Sequence, residues 1–117
     1  MQKTIIAMLL GVLSATSVQA QTCPAVSSIS QTPKDVGFLY KAPGGWEGES
    51  PNADEGDVKT FNFANALIKP NAVVCGYNGD NKSVVELTLE KAVTAAEDFH
   101  WQDGTCEGSD PAKCAFN

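Results

Sequence analysis

Four cysteines, Cys23, Cys75, Cys106 and Cys114, constrain this chain more than any other feature. A chain of about 100 residues buries too small a share of its surface to be held firmly by its core alone, and small exported domains commonly add disulfides. Export is what the first twenty residues, "MQKTIIAMLLGVLSATSVQA", predict: Lys3 precedes an apolar run from Ile5 to Leu13, and Val18, Gln19 and Ala20 form a small-residue cleavage pattern. The run is too short to cross a bilayer core, which takes about 20 apolar residues. A lipid-anchored form starting at Cys23 would want small apolar residues ahead of it, where Gln21 and Thr22 stand.

Cleavage after Ala20 would leave residues 21–117 as one small domain carrying all four cysteines. An even count in an oxidising compartment reads as two bridges, and four cysteines allow three pairings. The pairing favoured here is Cys106 to Cys114 and Cys23 to Cys75, because Gly108 and Pro111 let the tail "CEGSDPAKC" turn back on itself. Zinc is the rival reading of the tail, but structural zinc sites use closely spaced pairs or a Cys/His set, and the single histidine, His100, has no partner at ligand spacing. A redox pair would use C-x-x-C, which is absent.

Eight lysines and no arginine stand against fourteen acids, a formal charge of −6, and loss of Lys3 with the leader would make it −7. Phosphate backbones and anionic lipids attract clustered cations, so the charge balance argues against nucleic acid and anionic lipid as partners. The densest acidic stretch, "EGESPNADEGD", is rich in Gly, Pro, Ser and Asn and reads as a solvated loop. Calcium is its alternative use, although the EF-hand order of ligands is not met. "NKS" at Asn81 to Ser83 matches a glycosylation acceptor, which matters only in a eukaryotic host.

Along the chain, "AVSSISQTP" alternates weakly up to Pro33, and "GFLYKA" reads as a strand closed by "PGG", with Trp46 starting another. Val58, Phe61, Ala64 and Leu67 or Ile68 recur at helical spacing behind a capping Asp57 and ahead of Pro70, which predicts a helix over Val58 to Ile68. "AVVCGY", "NGDN" and "SVVELTLEKAV" predict a hairpin with Cys75 in its first strand and Val85, Leu87 and Leu89 on one face of its second. "TAAEDFHWQDGT" fits either a short helix marked by Val93, Ala96 and Phe99 or His100, or a last strand at "DFHW" with Phe99 and Trp101 on one face, the reading favoured here. The resulting expectation is an α+β fold: a small antiparallel sheet of four to five strands, one helix packed on it and two disulfides.

Taken in order, Cys23-Pro24, "Y-x-A" at Tyr40 to Ala42, "W-x-G" at Trp46 to Gly48, "F-x-x-A" at Phe61 to Ala64, "C-x-Y" at Cys75 to Tyr77, Trp101 and the closing cysteine pair ahead of Phe116 resemble a family of small exported bacterial proteins classed as a domain of unknown function. The resemblance implies a compact α+β domain in a Gram-negative periplasm or outside the cell. It brings no activity, so no functional residue follows from it.

Catalytic chemistry finds little support in the residues. One histidine gives one base of that kind, no serine sits in G-x-S-x-G, and "GGWEGES" lacks the lysine and spacing of a phosphate loop. No cofactor is called for. Trp46, flanked by glycines and followed by Glu47 and Glu49, marks a candidate partner-binding surface, with core packing as its other reading; Trp101 has the same two readings. The functional expectation is an exported, noncatalytic, monomeric domain that binds a protein or cell-wall partner in the bacterial envelope, inhibitor- or immunity-like. The alternatives are a small hydrolase using His100 with a carboxylate, or a surface-assembly subunit.

Overall fold

The computed structural model describes residues 20–80, 83–96 and 100–117, and within them the regular structure is strand and single 3-10 turns. Eight strands form one antiparallel sheet: β1 Ser30–Pro33, β2 Phe38–Ala42, β3 Trp46–Ser50, β4 Asn62–Lys69, β5 Ala72–Asn78, β6 Val84–Leu89, β7 Trp101–Gln102 and β8 Thr105–Glu107, in the order β1-β2-β3-β6-β5-β4-β8-β7. This corrects the α+β expectation in class and in strand number: the protein is mostly β, and no α-helix is present among the described residues. The first nineteen residues, with the leader reading, and Asn81 of the glycosylation motif lie outside what is described, as does Phe99.

The predicted helix over Val58 to Ile68 is instead a 3-10 turn, Asp57–Thr60, followed by β4. A bulge explains the misreading. The register of β4 on β5 shifts between Phe63 and Asn65, so Phe63 and Ala66 both point inward although they lie three residues apart, which is the helical interval. Pairing on both sides, with β5 and with β8, then holds the segment extended. Three other local readings match the structure: β5 and β6 form the hairpin carrying Cys75, β2 and β3 join through the "PGG" turn, and β1 ends at Pro33 on the sheet edge, where a missing N–H breaks no ladder. Two are corrected: Glu47 to Ser50, read as the start of the acidic loop, belong to β3, and the strand read at "DFHW" begins only at Trp101.

Alternation sorts the sheet into a closed and an open face. Tyr40, Trp46, Phe63, Ala66, Val73, Cys75, Tyr77, Val85, Leu87 and Cys106 are buried on the closed face. Its cover comes mainly from the two end segments, with Phe61 and Val93 joining them, and contains no α-helix among the described residues. Cys23 is bridged to Cys75 with Cα atoms 5.8 Å apart, and Cys106 is bridged to Cys114, the pairing favoured from sequence. Gln21 and Phe116 exchange backbone hydrogen bonds of 2.7 and 2.8 Å, and Thr94 and Asn117 do likewise at 3.0 and 2.8 Å. Phe116 thereby sits fully buried, its ring edge-on to that of Trp46 at 6.3 Å. Where β3 meets β6, a Cβ on Gly48 would lie 2.0 Å from the carbonyl oxygen of Glu86, so only glycine lets the two halves of the sheet close.

Two buried hydroxyls tie this cover down. Tyr77 Oη donates to the carbonyl of Pro24 at 2.7 Å. Tyr40 Oη donates to Asp57 Oδ1 at 2.6 Å, and Gln31 Nε2 donates to the same oxygen and to the carbonyl of Asp54, both at 2.9 Å. Asp57 is thus a buried anchor for the loop ahead of it and caps no helix.

Burial pushes both phenols above their ordinary value of 10.0, with the hydrogen bond to Asp57 adding to the effect at Tyr40. The fold therefore favours the protonated form, and the stability linked to it is fully present below about pH 10 and falls as pH rises past the ionisation of the unfolded tyrosines. Tyr40 and Tyr77 are the chain's two tyrosines, so near-ultraviolet tyrosinate absorbance is expected to appear only together with loss of the β circular dichroism signal. Either phenol titrating near pH 10 in folded protein would contradict the burial.

Candidate functional site

The face opposite the core is not covered by any described segment. One row of paired residues crosses all eight strands there: Ser30, Lys41, Glu47, Thr88, Val74, Leu67, Thr105 and Gln102. A second row runs Glu86, Gly76, Asn65, Glu107. The Asn65 side chain lies across Gly76, where a Cβ would meet Asn65 Oδ1 at 2.3 Å. Apolar side chains interrupt this polar surface: Leu67 is exposed beside the buried Val74, and Val84 is 61 % exposed at the start of β6.

At the β7–β8 end the open face dips into a hollow of about 500 Å³ lined by His100, Trp101, Gln102, Asp103, Thr105 and Glu107. The hairpin that forms it is compact because Asp103 and Gly104 both take positive φ, 53° and 80°, the turn that an Asp-Gly pair makes between two strands. The tail fixes it from behind: Trp101 Nε1 donates to the carbonyl of Ala115 at 2.8 Å, and the backbone N–H of His100 donates to that of Lys113 at 3.4 Å.

The residues singled out from sequence are separated by this arrangement. Trp46 points into the core and is 6 % exposed, so its ring is not offered to a partner. Glu47 and Glu49 stand on the open face, where Glu47 lies 3.9 Å from Lys41 and Glu49 pairs with Lys34. Trp101 is half-buried against the core, and His100 is exposed at the hollow. Among the described residues His100 makes no ion pair with a carboxylate, and no group of three His, Cys, Asp or Glu is placed to hold a metal. All four cysteines are spent in the two bridges.

Sequence reasoning missed Glu86, Asn65, Gln102, Thr105 and Glu107 as members of one surface. Asp103-Gly104, the strongest short hairpin signal in the tail, was the clue available, since it turns "WQ" back on "TCE".

The family model described as "Protein of unknown function (DUF3757)" matches residues 17–117, nearly the whole chain. The chain belongs to the DUF3757 family. That membership agrees with the resemblance drawn from its motifs and assigns no activity. No curated protein and no solved structure matches this DUF3757 chain significantly. Its two disulfides suit an oxidising environment, and no helix among the described residues is long and apolar enough to cross a membrane.

Proposed function

We propose that this chain is a noncatalytic binding domain that works outside the cytoplasm and presents the uncovered face of its sheet to a protein of the cell envelope. The observation that carries the reading is the asymmetry of the sheet. One face is sealed by the chain's own ends and two disulfides, while the other lays a mixed polar and apolar surface across eight strands with no described segment over it. A surface of that kind, backed by a cross-linked core, is ordered before contact, so little conformational entropy is lost on binding. The leader-type first twenty residues and the bridges support work in an oxidising compartment.

The hydrolase alternative places its base at His100, beside Asp103 and Glu107 in the hollow. It is the weaker reading, because a histidine base needs a carboxylate or carbonyl to orient it and His100 has no such ion pair among the described residues.

Affinity capture from envelope extract tests the proposal. Immobilised wild type should retain the same partner in repeated trials, and a variant with Thr88→Arg on the open face should lose it at an unchanged melting temperature. Lys59→Glu, in the 3-10 turn away from that face, should retain it. Repeated recovery of no partner, or equal retention by all three proteins, overturns the reading.

A further inference from the structure

We infer that the partner seated on the open face is a protein with a basic surface, and that one of its lysine or arginine side chains enters the hollow at the β7–β8 hairpin. The inference rests on the proposed binding role and names the chemistry of the partner.

Charge complementarity carries it. On the β2–β3 side of the face the acids are already matched, Glu47 by Lys41 and Glu49 by Lys34. On the β6-to-β7 side, Glu86, Glu107 and Asp103 have no ion pair among the described residues, and among those residues the only lysine that strand alternation places on that side is Lys69, at the far end of β4. Glu86 and Glu107 lie in the same row of the sheet with Gly76 and Asn65 between them, so the negative groups stand at the two ends of a polar row whose Glu107 end borders the hollow. Gln102 and Thr105 supply neutral acceptors to the hollow's wall, and no lysine lines it among the described residues. An incoming cation therefore meets carboxylates and neutral acceptors, which suits a guanidinium or ammonium group. Leu67, exposed in the neighbouring row, offers the apolar contact that surrounds such an anchor in protein interfaces.

The same charge argues against other occupants. A second copy of this chain would bring a formal −6 of its own against the acids. Nucleic acid and anionic lipid are repelled for the same reason, and a neutral glycan leaves Glu86, Glu107 and Asp103 unmatched.

Backbone amide NMR of the oxidised protein tests this, with an acetylated, amidated heptapeptide alternating arginine and leucine as the probe. Its counterpart with glutamate in place of arginine and a chitin tetrasaccharide are the controls. Shifts are expected to concentrate at Asn65, Glu86, Gln102, Thr105 and Glu107 with the arginine peptide alone. The peptide's affinity should fall roughly tenfold in the Glu86→Lys/Glu107→Lys variant and severalfold between low and high salt. Glu86→Gln/Glu107→Gln, a gentler pair of changes, should show the same direction if the lysine variant does not fold. Shifts spread equally over Asp54, Glu55 and Asp110 would overturn the inference in favour of general attraction. Shifts from the tetrasaccharide alone would overturn it in favour of a glycan, and self-association on concentration in favour of a second copy. An envelope partner that is lost on Thr88→Arg yet bound equally by the Glu86/Glu107 variants would sink the basic-partner assignment while leaving the binding role standing. Failure to capture any partner would instead remove the binding role on which the inference rests.

Discussion

Replacing Cys23 and Cys75 together by alanine is expected to lower stability by about 4 kcal/mol, a large share of the roughly 5–15 kcal/mol that a small domain has. The bridge closes a loop with a sequence separation of 52, and it fastens the amino-terminal segment to the middle of β5. Without it the unfolded chain gains the freedom of that loop, and the cover over the closed face is left with the Tyr77 to Pro24 hydrogen bond and its backbone pairs to the tail. The Cys106 to Cys114 bridge, with a separation of 8, should cost less when removed in the same way, about 2.5 kcal/mol. Urea unfolding followed by circular dichroism measures both. Equal losses, or a larger loss for the tail bridge, would mean that fastening Phe116 under the sheet outweighs loop length.

Trp46→Ala is expected to destabilise the fold by about 3–5 kcal/mol, the range for emptying a buried tryptophan site. The ring lies against Phe116 in the layer between sheet and cover, so its loss opens a void where the cover meets β3. An interface tryptophan would behave differently: melting temperature would stay level and only partner retention would fall. The two readings that sequence left side by side for Trp46 therefore separate on a single thermal melt. Glu47→Gln, on the other face of the same strand, should leave stability within about 0.5 kcal/mol, as expected for an exposed pair screened by solvent.

Much of the local architecture was legible in the residues. The tail loop between Cys106 and Cys114, the hairpin around Cys75 and the turn after Ala42 depend on neighbours in sequence, and turn chemistry states them directly. The helix was misread because one bulged residue converts the two-residue period of β4 into a three-residue interval between Phe63 and Ala66, and periodicity has no other way to tell the two apart. Asp57 looked like a helix cap because an acid before an apolar run is usually one; its real partner, Tyr40, is seventeen residues away. The open-face site was harder still. β7 and β8 are too short to show any period, and Glu86, Asn65 and Glu107 come from three strands that are brought together only by the order β6-β5-β4-β8. Trp46 drew notice as a lone large aromatic between glycines, and the same small neighbours allow it to turn inward.

The mutual backbone bonds of Gln21 and Phe116 have a consequence for timing. Gln21 and Phe116 lie at opposite ends of the described residues, so Trp46 and the rest of the inner layer stay wet until those two segments meet. Long-range closure of this kind is slow, so sealing of the inner layer is expected among the last steps of folding, after the hairpins have formed.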